Sequence, residues 1–197
     1  MIKRNFSGMK LKDAMALIGK NEFTEWKLNA PPRPPSDVLL EILQRFKYFD
    51  TVGTEAAKLL IVDALLGEII PLHLNLKVWK GEALESPTLT GFADYLITPR
   101  FAFVKTPLLC AAEAKRDDFV RGRTQCVAEM AACREANLAD GYDLDIFGFV
   151  TNGQTWQFYQ FTTAGEVFET SDYGVNALSE LLGALDHICG ECAKRVP

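Results

Sequence analysis

The stretch from Leu108 to Phe161 constrains the fold most. "LLCAAEAK" is an apolar run of strand length. "DDFVRGRTQCVAEMAACREANLADG" follows as a loop and then a long alanine-rich helix ending near Asn137. "DIFGFVTNGQTWQFYQF" then reads as a hairpin, with Asn152-Gly153 supplying the positive φ values that a tight primed turn needs. A strand this apolar belongs in the middle of a sheet. Small residues at Ala128, Ala131, Ala132 and Ala136 let the helix lie close on that sheet. The helix is therefore a crossover, and the architecture is a sheet with helices against it.

The rest of the chain fits this plan. Residues Lys10 to Gly19 carry a short amphipathic pattern, with Leu11, Ala14, Met15 and Ile18 on one face. "NAPPRPPSD" places four prolines in five positions, which excludes helix and predicts an extended arm. Ser36 or Asp37 caps a second helix over Val38 to Phe46. A third starts at the N-cap Thr54, has Glu55 in its first turn and ends near Gly67. "LHLNLKVW", Leu72 to Trp79, alternates with the period of a half-buried strand. "GEALESPTLTG" reads as a loop, "FADYLIT" as the next strand and "VNALSELLGALDHICGECAKR" as a closing amphipathic helix. The expected fold is α/β (α+β), a mixed β-sheet flanked by helices. Residues 1–35 form an N-terminal helix and proline-rich arm, and 36–197 the main domain.

Composition narrows the function classes. With 197 residues, 48% hydrophobic and 24% charged, the chain buries a core without staples. No apolar stretch reaches the length of a membrane span, and "MIKRNFSGMK" lacks the apolar core of a signal peptide. The expectation is a cytoplasmic protein with no membrane partner. Five cysteines, an odd number, sit mostly in apolar segments and do not make a disulfide framework. His187, Cys189 and Cys192 fall short of the four ligands of a structural zinc site. The net charge of −5 argues against a general nucleic-acid binder, although Lys115, Arg116, Arg121 and Arg123 fall within nine positions.

The chemistry-bearing residues gather at strand ends. Asp94 lies just inside "FADYLIT", and Glu113 and Lys115 close "LLCAAEAK". If these strands are antiparallel neighbours, Asp94 and Glu113 converge, and the period of two sets Glu113 and Lys115 on one face. Two carboxylates held close repel unless a cation neutralises them. A hard ion such as Mg2+ takes oxygen ligands and keeps several waters. The bound ion lowers the pKa of a water and offsets charge on a phosphoryl transition state. A lysine one pleat away orients that water or meets the phosphate. Each part also has a plain structural explanation. An isolated Glu-x-Lys at a strand end is usually a solvated pair. Turn geometry accounts for Asn-Gly, and Glu55 is an ordinary first-turn acid.

The ordered set goes further. "TEAAKLLIVDALL", "GFADYLI", "LLCAAEAKRDDFVRGRTQ" and "FGFVTNGQTWQFYQF" together resemble the PD-(D/E)xK nuclease superfamily. The similarity is narrower to the N-terminal nuclease domain of type I restriction enzyme motor subunits and their stand-alone relatives, from about Gly53 to Phe161. The resemblance implies a restriction-endonuclease-like sheet. It implies a helix acid at Glu55, metal-binding Asp94 and Glu113 with the Ala114 carbonyl, catalytic Lys115 and a helix glutamine at Gln125. Thr151, Asn152, Gly153, Trp156 and Phe158 match a structural hairpin. Two departures are visible: Ala93 stands where the motif has proline, and Glu68 competes with Glu55. Glu55 is preferred because Glu68 falls after the expected helix end.

The expected activity is a Mg2+-dependent endodeoxyribonuclease of restriction or defence, with Mn2+ as a substitute ion. DNA is the expected substrate, and RNA stays open. Arg116, Arg121 and Arg123 are the expected phosphate contacts. The sequence carries no Walker-type phosphate loop, so translocation or sequence recognition calls for a separate motor or specificity protein. A double-strand cut by a single-site nuclease calls for a homodimer. The alternative is a non-catalytic nuclease-fold module that binds nucleic acid or assembles with a partner.

Overall fold

The computed structural model describes residues 3–50, 55–114 and 119–196, with the side chains of 55–58 also outside the description. Its strands are β1 (Arg4–Asn5), β2 (Thr24–Trp26), β3 (Leu76–Glu85), β4 (Leu89–Pro99), β5 (Cys110–Ala114), β6 (Ile146–Thr151), β7 (Thr155–Phe161), β8 (Val167–Thr170) and β9 (Tyr173–Gly174). Its α-helices are α1 (Leu11–Leu17), α2 (Asp37–Phe46), α3 (Glu55–Ile69), α4 (Phe119–Ala139) and α5 (Leu178–Lys194). The strands form one mixed sheet in the order β1-β4-β5-β6-β7-β8-β2, with β3 on β4 and β9 on β7.

The crossover is as the sequence predicts. β5 and β6 are parallel neighbours and α4 joins them, while β4 and β5 are antiparallel. Every residue of β5 and β6 is buried, which fits their unbroken apolar runs. Helices cover both faces. Leu65, Ile69, Leu181, Leu185 and Ile188 of α3 and α5 meet Tyr95, Ile97, Phe147 and Phe149 on one face. Ala14 and Met15 of α1 and Cys126, Val127 and Met130 of α4 meet Leu96, Ala111, Ile146 and Val150 on the other. A Cβ on Gly148 of β6 would come within 2.6 Å of Met130 Sδ and 2.8 Å of Cys126 Sγ, which sets how closely α4 lies on the sheet.

The N-terminal residues join this sheet at two places. β1 pairs in parallel with β4, and β2 pairs in parallel with β8. The proline arm is docked on α5: Arg33 N–H donates to Ser179 O at 2.8 Å, and Arg33 Nη1 meets Asp186 Oδ2 at 3.0 Å. Pro31 O lies so close to Gly183 that any Cβ there would overlap it.

Four expectations need correction. α3 does not stop at Gly67 but runs to Ile69, so Glu68 lies inside the helix. Glu68 has a separate task there, accepting Ser36 N–H and Oγ–H at 2.8 Å each, next to the Ser36 cap of α2. The alternation from Leu72 to Leu74 does not mark a strand: a 3-10 turn spans Ile70–Leu72, and Leu74 is 73% exposed. β3 begins at Leu76 and continues through "GEALE", where Leu84 is the one buried residue and no alternation marks a strand. The β6–β7 connection does not use Asn152-Gly153 as a pair of positive-φ residues. Only Gly153 has positive φ, at 86°, and Asn152 instead accepts Gln154 N–H and Thr155 N–H through Oδ1.

Candidate functional site

Asp94 sits where β4 changes face. Its neighbours Ala93 and Tyr95 pack into opposite cores, although a regular strand would send both the same way. The partner strand changes face at the same level. Lys80 pairs with Tyr95 and Glu82 with Ala93, which leaves Gly81 opposite Asp94. Gly81 has φ 65°, a conformation that side-chain-bearing residues rarely adopt.

The same point is a gap in the sheet. Along one edge of β4, β5 pairs with residues 95–97 and β1 with residues 89–90. The β4–β5 ladder ends at Tyr95 opposite Ala112, and one further step brings Asp94 across from Glu113. There a side chain replaces the ladder, as Asp94 Oδ2 accepts the Ala114 N–H at 2.8 Å. β6 holds the other edge of β5, pairing Glu113 with Val150 and Ala114 with Thr151. The antiparallel pairing of β4 with β5, on which the expected convergence of Asp94 and Glu113 depends, is present.

α4 closes the site from one face. Gln125 Nε2 donates to Glu113 Oε2 at 2.8 Å and to Glu129 Oε1 at 3.1 Å. Glu113 and Glu129 are completely buried, and Gln125 is 7% exposed. Burial, followed by the charge and contact of Glu113, pushes the Glu129 carboxyl well above the usual carboxylate range, and Asp94 adds to the push. Glu129 Oε2 has no hydrogen-bond partner among the described residues. An acid held this way takes up a proton or shares a cation with its neighbours.

Glu129 is the site residue that sequence reasoning missed. Its signal is in the sequence: it is the one charged residue in "CVAEMAAC", Cys126 to Cys133, on a helix face that must be buried.

The other predicted residues fall as follows. Lys115 and Arg116 lie outside the described residues. Glu55 opens α3, with its side chain outside the description. Arg121 is exposed at the start of α4. Arg123 is engaged within the fold: Nη1 meets Glu169 Oε1 at 3.2 Å, and the guanidinium lies 5.3 Å from the Phe23 ring centre. His187, Cys189 and Cys192 all lie on α5, with both thiols buried.

Asp94 and Glu113 offer the oxygens that a hard cation takes, and Gln125 links Glu113 to a third acid, Glu129. Among the described residues, no group of three or more histidines, cysteines, aspartates or glutamates is arranged to hold a metal ion. Two carboxylates and a carbonyl suffice for Mg2+, which keeps several of its waters. A cavity of about 590 Å3 lies elsewhere, between α3 and β3, lined by Asp63, Leu66, Lys77, Lys80, Tyr95 and Arg100 among others. It contains none of the three acids.

No helix among the described residues is long and apolar enough to cross a membrane. Compared with models of known protein families and with curated proteins, the chain matches none.

Proposed function

We propose that this chain is a divalent-cation-dependent endonuclease with a restriction-endonuclease-like PD-(D/E)xK fold, acting on DNA. The observation that carries this reading is the Asp94 Oδ2 bond to the Ala114 N–H, next to Glu113 in β5, with Gln125 bonded to Glu113 from α4. A structural ion pair needs one acid; this arrangement brings acids together and leaves one of their oxygens without a donor.

Each residue has a distinct task in this reading. Asp94 and Glu113 hold Mg2+ or Mn2+ with the Ala114 carbonyl. The bound ion supplies a water of lowered pKa and offsets charge on the phosphate. Lys115, two residues after Glu113 in the sequence, positions the attacking water. Glu55 supports the ion's hydration from α3. Arg116 and Arg121 meet backbone phosphates. Arg123 braces α4 against β8 through Glu169. The acidic balance of the chain, −5, favours a separate partner that supplies most of the DNA affinity or recognition.

The test is cleavage of supercoiled plasmid, single-stranded DNA and RNA with Mg2+ or Mn2+, comparing wild type with Lys115→Ala. Metal-dependent cleavage lost in the variant supports the reading. Equal cleavage by both removes the mechanism. Nucleic-acid binding without any cleavage favours the non-catalytic module.

A further inference from the structure

We propose that Glu129 is a positioning residue that fixes the side-chain amide of Gln125, so that Gln125 presents its carbonyl oxygen to the site and acts there only as an acceptor. The amide nitrogen has two hydrogens. Glu113 Oε2 on β5 takes one and Glu129 Oε1, one helical turn further along α4, takes the other. The i,i+4 spacing on α4 brings Gln125 and Glu129 side by side. Reversing the amide would aim its oxygen at Glu113 Oε2, acceptor against acceptor. The oxygen Oε1 has no hydrogen-bond partner among the described residues, so it is the atom left to serve the site.

This assignment separates two roles open to a glutamine at such a site, meeting a phosphate and orienting a donor. A phosphate oxygen is an acceptor, and an amide presenting only its carbonyl cannot bind it. An ammonium or a water is a donor, and the carbonyl can hold either. Gln125 therefore orients the Lys115 ammonium or the attacking water and makes no phosphate contact. What the acceptor serves rests on the nuclease reading; the amide orientation stands without it.

The experiment compares wild type, Glu129→Gln and Glu129→Met, with circular dichroism confirming the fold of each. Three readouts are taken: the side-chain NH2 signal of Gln125 by NMR, identified by its loss in Gln125→Met; Mn2+ affinity by calorimetry; and kcat and KM for plasmid cleavage. In wild type both amide hydrogens exchange at least about tenfold more slowly than those of a free glutamine. Glu129→Met, which offers no oxygen acceptor, frees one of them. It lowers kcat about 10- to 100-fold, as loss of a supporting hydrogen bond does, with KM and Mn2+ affinity nearly unchanged. Glu129→Gln keeps an acceptor, so it restores the protection and raises kcat well above that of Glu129→Met.

Two results overturn the proposal. One is full protection of both hydrogens and unchanged kcat in Glu129→Met. The other is loss of Mn2+ affinity in Glu129→Gln by about tenfold or more, which makes Glu129 a ligand and not a positioning residue. A wild type that cleaves nothing removes the nuclease reading, while the NMR signal still decides the amide orientation.

Discussion

The Asp94 carboxylate stands in for a strand: its Oδ2 accepts the Ala114 N–H at 2.8 Å, just past the last β4–β5 pair. The same side chain thus finishes the sheet and opens the site. These two tasks separate by substitution. Asparagine keeps an oxygen for Ala114 but loses the charge. Asp94→Asn should therefore retain most of the stability while cleavage falls about 10^2- to 10^3-fold, the scale for losing one electrostatic stabiliser. Asp94→Ala should lose cleavage equally and cost about 1–3 kcal/mol, because the buried N–H is left unpaired. Urea denaturation and plasmid cleavage on both variants check the split.

Gly81 is the hinge that lets β3 follow β4 at Asp94. Its φ of 65° is unfavourable for a side chain, although a Cβ there meets nothing within 4 Å. Gly81→Ala should thus lose about 1–2 kcal/mol of conformational origin, read as a lower urea midpoint. Cleavage should fall as well, since the face change that aims Asp94 is strained. An unchanged midpoint would show that the face change does not need glycine.

The proline arm should behave as part of the fold. Gly183→Ala puts a Cβ against the Pro31 carbonyl oxygen, and backbone does not yield as a flexible side chain does. The expected result is a loss of about 1–3 kcal/mol from overpacking. Proteolysis within residues 27–35 should speed up before the rest of the chain opens. Equal digestion of variant and wild type would mean that the arm contributes nothing to stability.

Stability in acid should report on Asp145. Burial raises its pKa, but the Thr163 N–H and Arg195 outweigh burial and hold the carboxyl below its ordinary value. A group depressed in the folded state stabilises above its unfolded pKa of about 3.9, and that contribution is lost as pH falls through the folded value. Asp145→Asn should therefore be less stable than wild type at pH 7. The difference should shrink below about pH 4. A gap of constant size between pH 7 and pH 3 would count against the pairing with Arg195.

The legible part of the fold was the part governed by periodicity and burial. β5, α4 and the β6–β7 hairpin all carried strong patterns, and β4 and β5 pair as the antiparallel neighbours on which the meeting of Asp94 with Glu113 was conditioned. Edge elements were not legible. β1 and β2 have two and three residues, too few for any period. The leucines from Leu72 to Leu74 alternate, yet Leu72 and Leu74 are exposed, so the pattern marked no buried face. The distal half of β3 pairs on one edge and buries a single side chain, Leu84, which is too little to show a period in the sequence. Glu129 escaped because its meaning lies in a contact across α4 and β5, not in spacing along the chain. One acid amid buried apolar residues was the available sign.

The most direct test of the central claim is Mn2+ titration calorimetry on wild type, Asp94→Asn and Glu113→Gln at pH 7.5. If these two acids jointly hold an ion, wild type binds Mn2+ and each variant loses at least about tenfold in affinity, the lower bound for damage to a metal site. If both variants bind Mn2+ as wild type does, the convergence of Asp94 and Glu113 is a feature of the sheet alone and the nuclease account is wrong.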